Sequence, residues 1–301
     1  MKQISIIGLQ TIPEIKPGDN IAHEILDSCK KEGIELMEND IIVITSKIVS
    51  KAENSLVQLS SVVATRRSKA IARLTGKNPV EVEVVLSQSK DIAAVIPVKK
   101  IMKHYPEIVE SISTDSEAAS RVVESVPSML LTLTTQGILA TDAGLDYSNN
   151  ELGMASLLPK DPKISAKNIR EEIIQLCGKD VAVVLTDTEL EYADYFGSKE
   201  VAIGFSGIRP VSNKFGSKER FGRDKFGGAD VVVDELAGAA ALLEGQTSEG
   251  IPVVIVRGLE YDKQAMIRTS FSSEILRTGV WWTILATVKL RLFVKLLQLF
   301  M

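Results

Sequence analysis

The chain has 301 residues, 45% of them hydrophobic and 25% charged, enough to bury a full core without disulfide staples and too apolar to be mainly disordered. Lys and Arg total 35 against 39 Asp and Glu, so the net charge is −4 and general nucleic-acid binding has no electrostatic footprint. With two histidines and two isolated cysteines, Cys29 and Cys177, a multi-histidine metal centre, a zinc motif and a Ser-His-Asp triad are all disfavoured, and a reducing cytoplasm is expected.

The opening, MKQISIIGLQTIPEIKPGDN, lacks a long apolar stretch and a small-residue cleavage site, so it is not read as a signal peptide. Ile4–Leu9 reads as a strand. Asp19 or Asn20 caps a helix to about Lys31, with Gly33 just past its end. Asp40–Ser46 (DIIVITS) is a buried strand, followed by a polar segment, Lys47–Asn54. Thr65 to Gly76 is helical, and Asn78-Pro79 opens another helix. Residues 100–125 read as helical connections, and Ser128–Ala140 as two strands around Gln136-Gly137. Ser165–Leu176 is a helix closed by Gly178, Asp180–Thr186 (DVAVVLT) a buried strand, and Val231–Val233 a short extended piece. Asp234–Glu244 is an Ala-rich helix suited to close packing, Ile251–Arg257 (IPVVIVR) a last buried strand, and a helix is expected from about 262. Strands and helices alternate without clean βαβ units, so the expected fold is α+β or mixed α/β, with a site in a cleft.

Five segments carry residues capable of chemistry. TDAGLDYSNN (Thr141–Asn150) is dense in carboxylates and amides, the oxygen donors that Mg²⁺ or Mn²⁺ prefer, although the same residues also make ordinary turns. Thr186-Asp187-Thr188 ends a buried strand, a favoured place for ligands and equally for a helix cap. EGQTSEGI (Glu244–Ile251) offers backbone N–H groups, an amide and two carboxylates, and also suits a plain helix-to-strand loop. SKIVSKAEN (Ser46–Asn54) places Lys47 and Lys51 just after a buried strand, as phosphate holders or as a solvated polar stretch. Lys214–Lys225 is a local basic patch or a surface loop. Neither a Walker A loop nor a G-x-G-x-x-G fingerprint is present, so any nucleotide site is non-standard.

Together these segments resemble the GTP-dependent coenzyme F(420)-0:L-glutamate ligases, the gamma-glutamyl ligase family, over about residues 3–262. GLQTIPEIKPGDNI resembles the family's opening. SKIVSKAEN is similar to S-x-x-x-S-K-A-E-G, and TDAGLDYSNN to N-A-G-I-D-x-S-N. VVLTDT resembles the family strand ending in T-D-T. DELAGAAALLEGQTSEGIPVVIVRGL resembles D-E-[IL]-A…L-L-x-G-[EQ]…G-[IV]-P-x-x-x-V-R-G-L.

The resemblance implies roles for individual positions. Asp146 and Asp187 would be catalytic and would hold divalent metal, with Thr188 and Gln246 at a second metal, Mg²⁺ or Mn²⁺ at both. Ile12, Pro13, Glu14, Ile15, Ser46, Lys47, Lys51 and Asn149 would line the nucleotide site. So would Glu244, Gly245, Gln246, Thr247, Ser248, Glu249, Gly250 and Ile251. The implied reaction moves the GTP γ-phosphate to a carboxylate of the deazaflavin precursor, and L-glutamate then displaces phosphate to form an amide. A homodimer is implied too, and there is room for a monovalent cation as cofactor.

The sequence departs from the family pattern in places. After T-D-T the family has x-G-R-x-[FW]-R, whereas here the stretch is ELEYADYFGSKEV, without either arginine and with Glu191 and Asp194. Asp142 stands where the family has Asn, adding a carboxylate near the implied metal. These changes point to a divergent member, with an amide ligase acting on another acidic acceptor and a non-catalytic nucleotide- or cofactor-binding paralogue as alternatives.

A catalytic unit is expected over residues 1–275, with an apolar-basic tail over 276–301. The tail, VWWTILATVKLRLFVKLLQLFM from Val280, has cations at Lys289, Arg291 and Lys295, and its charge-free run is too short to span a bilayer. Burial against protein is the commoner fate of such a face; contact with a membrane surface is the alternative.

Overall fold

The computed structural model describes residues 2–191, 197–263 and 273–300. The chain divides into two compact units, Met1–Met266 and Ile267–Met301.

In the first unit the strands are β1 (Ser5–Gly8), β2 (Ile41–Thr45), β3 (Leu56–Gln58), β4 (Ser89–Ile96), β5 (Met129–Thr134), β6 (Leu139–Thr141), β7 (Met154–Ser156), β8 (Ala182–Glu191), β9 (Gly197–Ser206) and β10 (Val253–Arg257). The helices are α1 (Ile21–Lys31), α2 (Ser46–Ala52), α3 (Arg66–Thr75), α4 (Pro79–Gln88), α5 (Val98–His104), α6 (Pro106–Ile112), α7 (Ser116–Ser125), α8 (Pro162–Cys177) and α9 (Val232–Glu244). The second unit holds α10 (Ser273–Phe300). The fold is mixed α/β, as expected.

The main sheet has the order β1-β10-β2-β8-β9, with β2 and β8 parallel and every other pair antiparallel. Its central strands are apolar throughout their inner stretches, Ile41–Ile44, Ala182–Leu185 and Val253–Val256, because both faces are covered there. Ile42, Ile44, Val183, Leu185, Val253 and Ile255 face a core shared with α1 and α8. Ile41, Val43, Ala182, Val184, Val254 and Val256 face α9. Two smaller sheets, β3-β7 and β4-β5-β6, are built from the chain between β2 and β8.

Local chemistry sets the helix ends. The Asn20 side chain accepts from the His23 N–H to open α1, and Asn78 accepts from Val80 N–H before Pro79 in α4. Gly76 and Gly178 close α3 and α8 in the left-handed conformation. Asp161 caps α8 with Pro162 at its first position, so that helix starts earlier than Ser165.

Two expectations are corrected. Val232 and Val233 are the first turn of α9 rather than an extended piece: Val233 packs into the sheet, while Asp234 and Glu235 suit a helix N-terminus. The polar segment after β2 is the helix α2, with Ser46, Ser50 and Lys51 buried. The residues just after 262 that were expected to begin a helix lie partly outside the described residues, as do positions 192–196 of the ELEYADYFGSKEV stretch.

At the sheet end formed by the start of β2, Arg257 grips buried Asp40 with two parallel bonds, Nε to Oδ1 at 2.9 Å and a terminal nitrogen to Oδ2 at 2.7 Å. The pairing raises the guanidinium pKa. Arg257→Lys keeps the charge but loses the fork. It should cost about 1–2 kcal/mol, read as a lower midpoint in urea with an unchanged slope.

Candidate functional site

Parallel β2 and β8 bring their carboxyl ends to the same end of the sheet. The antiparallel neighbours bring the start of β9 and the start of β10 there, and α9 delivers its C-terminus. A cleft of about 550 Å³ opens at that place. Such crevices at strand ends are where α/β proteins bind ligands.

Successive residues of a strand face opposite sides, which splits the T-D-T triplet. Asp187 turns to α2, where Ser46 Oγ donates to its Oδ1 at 2.7 Å. Thr188 turns to the α9 side, where its hydroxyl donates to Glu200 and sits 3.4 Å from Gln246 Oε1. Gln246 Nε2 donates to the same Glu200 oxygen at 3.1 Å. Register places Glu200 directly opposite Thr188 in the β8–β9 pair. Between Leu185 and Thr186 the register skips Ile203 of β9, a bulge that bends the β9 segment carrying Glu200.

The TDAGLDYSNN loop supplies the facing wall. Asp146 pairs in backbone with Ser156, and Ser148 N–H and Oγ each donate to its Oδ1 at 2.7 Å. Lys47 Nζ lies 2.8 Å from Asp146 Oδ2. Lys51 donates to Glu14 and, at 2.7 Å, to the Asn149 carbonyl, tying two segments to α2. On the other side, Gly245 turns at φ +64°, and a Cβ there would stand 2.2 Å from Glu249 Cδ, so the EGQTSEG loop needs glycine at that point.

Electrostatically the cleft is divided. Burial opposes ionisation of Asp146, but Lys47 and the Ser148 N–H hold its pKa below the usual value. Burial raises Asp187 to about 8; Ser46 works against that, and Glu189, Glu200 and Asp146 add to it by repulsion. Burial also raises Glu244 to about 8, with Glu200 adding repulsion. Neither Glu244 carboxylate oxygen has a hydrogen-bond partner, although both are shielded from solvent. An orphaned buried carboxylate next to a second carboxylate is a costly arrangement that a cation or a proton relieves. The donors gathered here are carboxylate, hydroxyl and amide oxygens, the set that suits a hard divalent cation. Among the described residues no three His, Cys, Asp or Glu side chains converge as a ready metal cage.

The cleft thus gathers Ile12–Ile15, Ser46, Lys47, Lys51, Asp146, Asn149, Asp187, Thr188, Glu244–Thr247 and Glu249–Ile251. Of the positions given a catalytic, nucleotide or metal role from sequence, Ser248 alone is not on its wall. Glu200 was not singled out. Its signal was the alternation of Val201, Ile203 and Phe205, which marks a strand running back from this end. Asp142 is not on the wall either: its Oδ2 meets buried Lys77 at 2.9 Å and its Oδ1 accepts the Leu130 N–H, so it braces the loop. The basic patch Lys214–Lys225 follows β9, whose last residue, Ser206, pairs with Val183 near the start of β8. It therefore leaves the sheet at the opposite end and lines no part of this cleft.

One acid fixes the approach of the Ile12–Ile15 segment. Glu32 Oε1 accepts from Gln10 N–H at 2.7 Å, Thr11 N–H at 2.8 Å and Thr11 Oγ1 at 2.9 Å. Glu32→Ala removes the acceptor, so amide exchange at Gln10 and Thr11 should speed up by about fivefold, the equivalent of a loss of about 1 kcal/mol. Unchanged exchange there would show that the segment is held by other contacts.

The F420-0:gamma-glutamyl ligase family model matches residues 10–258. The coenzyme F420:L-glutamate ligase of Methanosarcina mazei is 35% identical over 270 residues, which cover 89% of this chain and 92% of that protein. That of Methanothermobacter thermautotrophicus is 33% identical over 256 residues, 85% of this chain and 89% of its own length. That of Archaeoglobus fulgidus is 30% identical over 272 residues, 90% of this chain and 94% of its own. The family match begins at the loop that carries Ile12 and runs past the last strand of the sheet, so it takes in the whole cleft, and the chain belongs to the F420-0:gamma-glutamyl ligase family.

Proposed function

We propose that this chain joins L-glutamate through an amide bond to the deazaflavin precursor coenzyme F420-0, with GTP as the phosphoryl donor. The observation that carries the reading is the pairing, in one cleft, of the Lys47 and Lys51 ammonium groups with the acidic set Asp187, Glu200 and Glu244. Anionic phosphates suit the first side and cations the second.

The balance of the reaction is simple. A carboxylate oxygen of the precursor takes the γ-phosphoryl group and GDP leaves. The glutamate amine then attacks the acyl carbon, phosphate leaves, and the amine proton passes to solvent. Positioning and charge neutralisation carry most of the catalysis in phosphoryl transfer. Lys47 and Lys51, both anchored on the rigid α2, hold phosphate oxygens as point charges. Asp146, Asp187, Thr188 and Gln246 would hold Mg²⁺ or Mn²⁺, with Glu200 and Glu244 behind them. A bound divalent cation supplies charge neutralisation at the transferring group. The same reading extends to a cytoplasmic homodimer.

Incubation with F420-0, L-glutamate, GTP and Mg²⁺ or Mn²⁺ tests this. GDP and glutamyl product should appear in equal amounts. Amide formation without nucleotide consumption, or no turnover by folded, metal-loaded protein, would sink it.

A second reading concerns the acceptor alone. Glu189 accepts from the Thr141 N–H at 3.0 Å and from its hydroxyl at 3.0 Å, and Glu191 pairs with Lys199. Acids occupy the end of β8, an environment that disfavours a strongly anionic acceptor there. A screen of carboxylate acceptors by phosphate release separates the two readings: release with F420-0 alone removes the second.

A further inference from the structure

We propose that α10 is a membrane-surface helix that lies on an anionic phospholipid bilayer. The helix has 28 residues, about 42 Å at 1.5 Å per residue. Trp281, Trp282, Ile284, Leu285, Val288, Leu290, Leu292, Phe293 and Val294 are all at least two-fifths exposed, far more apolar surface than scattered surface residues explain.

The pattern along the helix has direction. Trp281, Leu285, Val288 and Leu292 recur at spacings of four, three and four and form one apolar line. Thr283, Thr287, Arg291 and Lys295 recur at spacings of four and form a polar line. The Thr283 and Thr287 hydroxyls each donate to the carbonyl four residues back. Lys289 stands inside the apolar arc, where its four-carbon stem can lie along lipid and lift the ammonium to the headgroups.

Charge selects the occupant. The helix carries Arg277, Lys289, Arg291 and Lys295 against one acid, Glu274 in its first turn, and the stretch that bears the tryptophans and the apolar line holds cations only. A second copy of α10 packed on this face would bring like charges together. An anionic lipid surface meets the same cations with opposite charge and the apolar face with acyl chains. The adjacent Trp281 and Trp282 suit the headgroup boundary. No helix among the described residues is long and apolar enough to cross a membrane, so the helix lies along the surface.

The test has a built-in probe, because Trp281 and Trp282 are the two tryptophans of the whole chain. The full-length protein is titrated with vesicles of equal parts phosphatidylglycerol and phosphatidylcholine, and with phosphatidylcholine alone. Binding to the anionic vesicles should shift tryptophan emission to the blue and carry the protein into the vesicle pellet, and high salt should weaken both. The triple variant Lys289→Gln, Arg291→Gln, Lys295→Gln should bind the anionic vesicles about 100-fold more weakly, from about 1 kcal/mol per cation.

Absence of both shift and pelleting would overturn the proposal. So would emission already blue without lipid, together with an oligomer that truncation at residue 272 dissociates, which would make another copy the cover. Equal binding to both vesicle types would remove the role given to the cations.

Discussion

Replacing Asp187 by Asn is expected to cut glutamyl transfer by about a thousandfold or more while the protein stays folded. Asn keeps the size and can still accept from Ser46 Oγ, which now donates to the carboxylate at 2.7 Å. It loses the negative charge that the proposed cation and phosphoryl chemistry requires. A loss of about 4 kcal/mol in transition-state stabilisation corresponds to that factor. Stability should move the other way. Asp187 is held to about 8 by burial first and by its acidic neighbours after that, so the neutral amide relieves strain in the metal-free protein. The measurement is paired: steady-state turnover and a thermal melt without metal, on wild type and variant. Wild-type turnover in the variant would remove Asp187 from the chemistry. A lower melting temperature would mean that the carboxylate supports the fold.

Much of this arrangement is legible in the sequence because it rests on strong local signals. DIIVITS, DVAVVLT and IPVVIVR are β-branched runs with no polar alternation, which happens when both faces of a strand are buried, and they are the three central strands β2, β8 and β10. Asn20, Asn78-Pro79, Gly76 and Gly178 mark helix ends by side-chain and backbone chemistry that acts within a few residues. What escapes is set at a distance. Lys47 and Lys51 look solvated by composition, yet α2 packs Val49 and Ile48 into the core and turns the lysine heads to the Asp146 loop. The alternation of Val201, Ile203 and Phe205 marks the strand that carries Glu200, but only the register of β9 on β8 brings Glu200 to Thr188, and local sequence does not encode that register. Asp142 looks like one more ligand in an acid-rich loop, and is instead committed to Lys77, which stands more than sixty positions away in the chain. Val232 and Val233 favour strands by propensity, but packing of α9 against the sheet overrides it.

Stability of the metal-free protein should fall as pH rises from about 5 to 8, and Glu244→Gln should remove roughly half of that slope, Asp187 carrying a comparable share. Glu244 has an ordinary value near 4.5 when unfolded and about 8 in the fold, raised by burial first and by Glu200 second. Between those values the native state binds the proton and the unfolded state does not, so unfolding becomes easier as pH increases. Below the lower value both states are protonated and the residue contributes nothing. At pH 7 the penalty is on the order of 3 kcal/mol, at 1.36 kcal/mol per unit of pKa difference. Gln has the same shape and no charge, so it should raise the metal-free melting temperature by roughly 5 °C or more at pH 8 and hardly at all at pH 5. Asp187 has the same sign, so some slope remains in the single variant and the double variant with Asp187→Asn should be flatter still. Mg²⁺ or Mn²⁺ should replace the proton in the wild type, restoring stability at pH 8 with release of protons, and should do little for the double variant. Parallel pH profiles for wild type and Glu244→Gln would show that the carboxylate is solvated in solution, and would remove the orphaned acid as a reason for a cation to bind.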